Sequence, residues 1–393
     1  MTRASVRIAG VLLAVLLAPA FLLGVAGCSK EQGPVKIGAA GPFTGDLSKI
    51  GLDSLNAIKM AVDEFNQAGG VNGRTVEVVV GDDAGDPAKG NIVADKFISD
   101  PSVLGVVGPM NSSVTNAALP VYEKAGLVLI SQSSTTSDLT DRGFKVMHRI
   151  CPRDDSQGRA AATFIFKELK VQKVYLLDDK STYGQGLADQ VVNDLKAYGL
   201  TQVKRDQVSA QDRDFSSLIS LIKTYNPDMV YMAFSNPAQA ANLARQMQSV
   251  GLAPKLMGGD GCRERDQLIG GGGAAVQGMF VTAIGREIKE VPEAKAFVQK
   301  FESKYKAMSI FSGQSYEATK ILLAAIKEAA KAGQLTREGA LKAVHATEGY
   351  QGILGFPVSF DAKGDLVGGE IFILVVKGDD FASVKKYSTG DIQ

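Results

Sequence analysis

The residues Asn111-Ser112-Ser113 stand where an apolar, strand-like segment gives way to a helical one. Free backbone N–H groups and short hydroxyls at a helix start suit a negatively charged group, and they serve equally as a plain helix cap. Residues 131–137 are a hydroxyl-rich stretch that suits a polar turn or the hydrogen bonding of a small molecule. Asp260 lies between Gly259 and Gly261 after another apolar segment. A carboxylate there is a surface turn residue or, if enclosed, a group that needs a cationic partner. Tyr183 begins a helical stretch, where an aromatic ring packs locally or covers a neighbouring cleft. These groups hold charges; they do not break bonds.

Reaction machinery is missing from the sequence. It contains no GxSxG elbow and no GxxxxGK phosphate loop. His148 and His345 are far apart, and neither stands in an HExxH or CxxC context, so neither a metal nor a cofactor is expected. Gly184-Gln185-Gly186 resembles a dinucleotide turn, but Asp189 stands in place of the third Gly, so it reads as an ordinary helix entry.

Elements that could position such groups follow a regular order. Val35–Ala40, Val76–Gly81, Val103–Gly108, Leu127–Ser131, Lys173–Asp178, Met229–Phe234, Leu256–Gly259 and Met279–Thr282 read as strands. They are rich in Val, Ile and Leu with little alternation, as parallel strands buried on both faces require. Leu52, Leu55, Ala61 and Phe65 mark one helix face, and Leu187, Val191, Leu195 and Tyr198 mark another. This βαβα rhythm predicts an open, doubly wound α/β architecture. It runs twice, from Val35 to about Ile150 and from Lys173 to Val281. After it come helices over 292–308, 313–333 and 336–347, then strands over 356–360 and 370–376. Gly270–Gly273 reads as a surface turn.

At the N-terminus, Arg3 and Arg7 precede an apolar run from Ile8 to Val25 that ends in Val25-Ala26-Gly27-Cys28. This is a signal-peptide pattern, and its end resembles a bacterial lipobox, in which Cys28 would become the first residue and carry lipid. An uncleaved anchor is the alternative, since the run is long enough to span a bilayer. Removing residues 1–27 takes away two Arg and no acid, which turns the formal charge of +1 into −1. A near-neutral body with no basic block argues against nucleic acid as a partner. Cys151 and Cys262 remain; outside the cytoplasm they could pair, or each could be a buried thiol.

Several segments in order resemble the leucine/isoleucine/valine-binding proteins, the periplasmic receptors of branched-chain amino acid ABC transporters. They are GAAGPFTGDLSKIG at 38–51, GDDAGDPAKG at 81–90, GPMNSSVT at 108–115 and ISQSSTTSDLT at 130–140. RDDSQG at 153–158, DDKSTYGQGLA at 178–188, SVGLAPKLMGGDG at 249–261 and SFDAKGDL at 359–366 complete the set. Each is weakly specific alone; their joint order and spacing are strongly so.

The resemblance implies a type I periplasmic binding protein: two Rossmann-like lobes joined by a three-crossing hinge, with a ligand between them. The crossings fall near Ile150–Pro152, Thr282–Gly285 and Phe360–Gly364. This divides the chain into a lipoprotein signal peptide (1–27), an anchor linker (28–34), an N-terminal lobe (35–151 plus 283–360) and a C-terminal lobe (152–282 plus 361–393).

It also implies roles residue by residue. Ser112 matches the position whose hydroxyl and N–H hold the ligand carboxylate, with Asn111 beside it, and Thr135 matches a second hydroxyl donor. Ser133 matches a backbone carbonyl that accepts from the ligand ammonium, and Asp260 an acid, often Glu, that pairs with it. Tyr183 matches an aromatic cover from the second lobe. Ile50 and Ser235 fall where the family often has rings, and Phe311 at another such position, so the side-chain pocket differs. The family's disulfide positions are Gly85 and Asn111 here, and a Cys151–Cys262 bond would instead tie the hinge to the Asp260 loop.

The implied function is a lipid-anchored, extracytoplasmic binding component of an ABC importer. It would pass an amino acid to a membrane permease and would be no enzyme. A sensor of the same fold, or a receptor for an amide, urea or a small aromatic acid, are the rivals.

Overall fold

A computed structural model describes Met1 and residues 33–390 of the chain. The expected signal peptide, the lipobox with Cys28 and most of the 28–34 linker lie outside the described residues. Among the described residues, twelve strands form two sheets.

The first sheet is wholly parallel, in the order β2-β1-β3-β4-β5. Its strands are β1 (Val35–Gly41), β2 (Val76–Asp82), β3 (Val103–Val107), β4 (Leu129–Ser131) and β5 (Met147–Arg149). The second runs β12-β11-β10-β9-β8-β6-β7. It holds β6 (Lys173–Asp178), β7 (Gln202–Gln207), β8 (Met229–Ala233), β9 (Lys255–Gly258) and β10 (Phe280–Ala283) in parallel. Then β11 (Glu370–Lys377) and β12 (Asp380–Ser388) add an antiparallel edge. The parallel part repeats the order of the first sheet, so the doubled rhythm of the sequence is a doubled topology.

The helices are α1 (Ser48–Gln67), α2 (Pro87–Ser99), α3 (Ser112–Ala125), the short α4 (Asp138–Asp141), α5 (Asp154–Thr163), α6 (Thr182–Ala197), α7 (Ser216–Tyr225) and α8 (Pro237–Ser249). After the second sheet's parallel strands come α9 (Lys295–Tyr305), α10 (Ser312–Lys331) and α11 (Arg337–His345). These last three return to the first lobe. Ile321, Leu322 and Ile326 of α10 and Val344 of α11 share a core with Val35, Ile37 and Val107, and Phe297 and Phe301 of α9 pack with Ala57 and Met60 of α1. Each fully buried aliphatic side chain contributes roughly 1.5–3 kcal/mol, which docks these helices firmly.

The chain passes between the sheets after Arg149, after Ala283 and before Glu370. The first and third passages lie together, because Arg149 N–H donates to the Gly364 carbonyl at 3.0 Å.

Some local expectations change. Residues 356–360 form no strand; single bridges join Tyr350 to Val358 and Phe360 to Leu366, and Pro357 has no N–H for a ladder. The helix expected over 292–308 divides into a 3₁₀ turn at Pro292–Ala294 and α9. The Gly270–Gly273 run links the π-helical Arg265–Gly270 to the 3₁₀ turn Gly273–Val276. Strands β7 and β12 went unread because, as edge strands, they are half exposed and Lys-bearing and carry no apolar run.

Candidate ligand-binding site

The loops at the carboxyl ends of β1, β3, β6, β8 and β9 converge on one cavity of about 270 Å³ between the lobes. Doubly wound sheets bind ligands there, where strand order reverses and neighbouring loops diverge. Gly108 makes one such loop possible: its φ is 99°, and a Cβ would stand 2.1 Å from the Ala40 carbonyl oxygen.

From the first lobe, Ile50, Met110, Asn111, Ser112, Ser133 and Phe311 line the cavity. Ser112 is the first residue of α3, so its side chain and the free N–H groups of that turn face one region. Its Oγ accepts a long bond from Thr136 N–H at 3.5 Å. The Ser133 hydroxyl donates to the Met110 carbonyl at 3.0 Å, which fastens the 133–136 turn to the α3 approach. Thr135 is fully buried but stands behind the wall; its Oγ1 has no hydrogen-bond partner, and its carbonyl accepts Asp154 N–H at 2.9 Å.

Ile50 and Phe311 share an apolar cluster with Met110, Cys151 and Ile284. Phe311 holds φ at 67°, a left-handed conformation that is unfavourable for a bulky residue and is held here by the packing around the ring.

From the second lobe come Tyr183, Ser235 and Asp260. The Tyr183 hydroxyl donates to Asp260 Oδ1 at 2.8 Å and accepts Gly261 N–H at 3.1 Å. Asp260 N–H donates to Gln157 Oε1 at 3.0 Å. Burial pushes the Asp260 carboxyl above the usual range, against the Tyr183 and Gln157 hydrogen bonds and the Arg263 charge. Ser235 is already engaged, since its N–H and hydroxyl donate to Asp179 Oδ2 at 2.7 and 2.5 Å. Gly184 gives Asp179 its room: a Cβ there would meet Asp179 Oδ1 at 2.2 Å.

The two lobes touch on both sides of the cavity. Thr182 N–H donates to Ser113 Oγ at 2.9 Å. At the opposite rim, Arg213 and Gln267 donate to Asp46 Oδ2 and its carbonyl at 2.9 and 2.8 Å.

The structure thus brings eight of the nine expected ligand residues to one cavity, with Thr135 directly behind. Sequence reading missed Asp154, Gln157, Asp179 and Asp46. RDDSQG at 153–158 and DDKSTYGQGLA at 178–188 were marked as segments, but only their topology shows which acids turn inward. The Cys151–Cys262 bond is not made. Both thiols are free and buried in different clusters, Cys151 at the hinge and Cys262 in the second lobe's core against the Met232 and Phe234 carbonyls. Among the described residues there is no group of three or more potential metal ligands. His148 and His345 do meet, with ring nitrogens 3.3 Å apart.

Two doubly wound lobes in contact around one cleft, with hydroxyls on one side and an acid on the other, have the architecture of a solute-binding protein. The profile of the periplasmic binding proteins matches residues 34–380, and the chain belongs to that family. It is 34% identical to a leucine-, isoleucine-, valine-, threonine- and alanine-binding protein of Pseudomonas aeruginosa, over 89% of this chain and 92% of the relative. A leucine-binding protein of Thermotoga maritima superposes with a TM-score of 0.81 at 28% identity, over 90% of this chain and 98% of that one. A branched-chain amino acid transporter substrate-binding protein of Streptococcus pneumoniae, solved with isoleucine, superposes with a TM-score of 0.80 at 24% identity, over 90% and 99%, a likeness of fold.

Proposed function

We propose that the protein captures a free amino acid, of branched-chain type or a close analogue, by closing its lobes, and hands it to a membrane permease of an ABC importer. In this reading the chain is exported and held at the membrane through lipid on Cys28. The observation that carries it is a pair of opposed ends in one cavity. Ser112 at the start of α3 faces it from one lobe, and the buried Asp260, with the Tyr183 hydroxyl on it, from the other.

The ligand carboxylate takes the Ser112 hydroxyl and the N–H groups of the α3 turn. The ammonium takes Asp260 and the Ser133 carbonyl, while Thr135, as the turn adjusts, gives the carboxylate a second hydroxyl. An enclosed carboxylate is costly when unpaired, so a cationic group at Asp260 relieves the burial that raises its titration. Ile50, Met110 and Phe311 take the apolar part of the ligand. Because only the closed form makes both sets of contacts, ligand energy favours closure.

A thermal-shift screen of the twenty amino acids tests this, since a ligand that binds only the folded state raises its melting point. At least one amino acid is expected to raise it by several degrees. Its des-amino acid and its decarboxylated amine, each lacking one charged end, are expected to raise it little. Equal shifts from the intact amino acid and a one-ended analogue would contradict the assignment.

A further inference from the structure

Asp46 stands in the first lobe, on the loop between β1 and α1, yet side chains of the second lobe converge on it. Arg213 Nη2 donates to its Oδ2 at 2.9 Å, and Asn236 Nδ2 donates to the same oxygen at 3.4 Å. Gln267 Nε2 donates to its carbonyl at 2.8 Å. The donors come from separate elements: the loop before α7, the N-cap of α8 and the π-helical Arg265–Gly270. Asp46 and Asn236 line the cavity, whereas Arg213 and Gln267 do not.

Each half of this cluster is held by its own lobe. In the first lobe, Asp82 Oδ1 accepts from Phe43 N–H at 2.9 Å and Thr44 N–H at 3.2 Å, and its Oδ2 accepts the Thr44 hydroxyl at 2.6 Å. Gly45 follows at φ 84°, and its carbonyl accepts Ser48 N–H at 3.1 Å, which turns Asp46 toward the other lobe. In the second lobe, the Arg213 carbonyl accepts from Asn242 and Gln246 of α8, each at 2.7 Å. Arg213 Nη1 donates to the Ala210 carbonyl at 3.0 Å, which leaves Nη2 for Asp46. Asn236 Oδ1 caps α8 by accepting Ala238 N–H at 3.0 Å, so its amide nitrogen is the end that points outward. Gln267 N–H donates to Glu264 Oε2 at 2.8 Å. Side chains fixed in advance lose little freedom when they meet.

We propose that Asp46 and its donors Arg213, Asn236 and Gln267 form a latch, assembled when the lobes close, that holds the closed form and so lengthens the stay of a captured solute. This rests on the lobe closure proposed above and not on the identity of the solute. Contacts made in one state and absent from the other shift the balance between them. The ion pair is more than half exposed, with Asp46 at 63% and Arg213 at 56%, so each bond is weak, screened by salt and readily broken. A latch of several such bonds biases closure and still lets the lobes part.

Small-angle X-ray scattering of the mature protein, ligand-free and with saturating L-leucine, tests it. In at least one condition the wild-type curve is expected to match that of the present structure. In that condition Arg213→Glu, which sets two carboxylates together, is expected to enlarge the radius of gyration. The reversed pair, Asp46→Arg with Arg213→Glu, is expected to restore the compact curve, which a merely structural role of Arg213 would not do. The wild-type radius is also expected to grow as salt is raised, a readout that stands even if a variant does not fold. A wild type compact in neither condition, a radius that neither Arg213→Glu nor salt enlarges, or an expansion that the reversed pair leaves in place overturns the latch. The amino-acid reading then still stands or falls by the thermal-shift screen.

Discussion

Asp154 is fully buried on α5, close enough to feel the Asp260 charge. Its Oδ1 accepts from Gln157 Nε2 at 3.2 Å, and the Gln157 side chain also receives Asp260 N–H and the Thr282 hydroxyl. Burial pushes the Asp154 carboxyl up to about 8; the Asp260 charge adds to the shift, while the Arg149 charge opposes it. The sign follows from linkage. An acid whose folded value lies above its unfolded one binds more protons when folded, so stability falls as pH climbs from about 4 to about 8. Asp83 and Glu317, both pushed up to about 7 mainly by burial, act in the same direction. Asp154→Asn is therefore expected to flatten the decline of the ligand-free protein without abolishing it. The variant gains on wild type as pH rises, by on the order of a few kcal/mol at pH 8. Urea melts at pH 5 and pH 8 measure this, and an unchanged pH dependence would contradict it.

Among the elements, the first and third crossings are tied together by ion pairs of Arg149 and Arg153 with Asp365. Arg149, at the end of β5, is completely buried against Asp365 of the third crossing, with Nε and Oδ1 2.5 Å apart. Its other nitrogens donate to the Ser134 and Thr136 carbonyls at 2.9 and 2.8 Å and to the Thr140 hydroxyl at 2.7 Å. Arg149 thus fixes the turn that carries Ser133 and Thr135 as well as the hinge. Burial pushes the Asp365 carboxyl up, but the Arg149 and Arg153 guanidiniums outweigh it and hold it below its usual value. Its contribution is present above the ordinary carboxylate range and is lost as pH falls. Removing one partner leaves a buried charge unmatched. Asp365→Ala is therefore expected to cost about 3–5 kcal/mol in chemical denaturation and to weaken ligand binding through the 133–136 turn. A loss below about 1 kcal/mol would show that the pair contributes little to the hinge. None of this was legible in sequence. The β-strand and helix pattern revealed the central strands, whose apolar runs are continuous, but an Arg in a three-residue strand carries no periodic signal. Cys151 and Cys262 show the same limit, since even two cysteines cannot reveal from spacing that they sit in separate cores.

For the whole molecule, the doubled sheet order and the three passages place two sets of loops face to face, and contacts at Ser113 and Asp46 join them across the cavity. The fold was legible because it depends on many weak signals that agree: strand composition, helix spacing and ordered loop segments. Of the cavity lining, Ser112, Ser133, Tyr183 and Asp260 were legible from family-like loop segments that follow strands. The site was illegible at Asp154, Gln157 and Asp46, whose roles arise only when distant elements meet. The central claim is that the two lobes hold opposite ends of one amino acid, with Asp260 taking the ammonium. Its most direct test is calorimetric titration of Asp260→Ala with the amino acid that wild type binds best. The account predicts affinity lower by about a hundredfold, as loss of a charge-assisted bond in an enclosed site implies; binding as tight as wild type would contradict it.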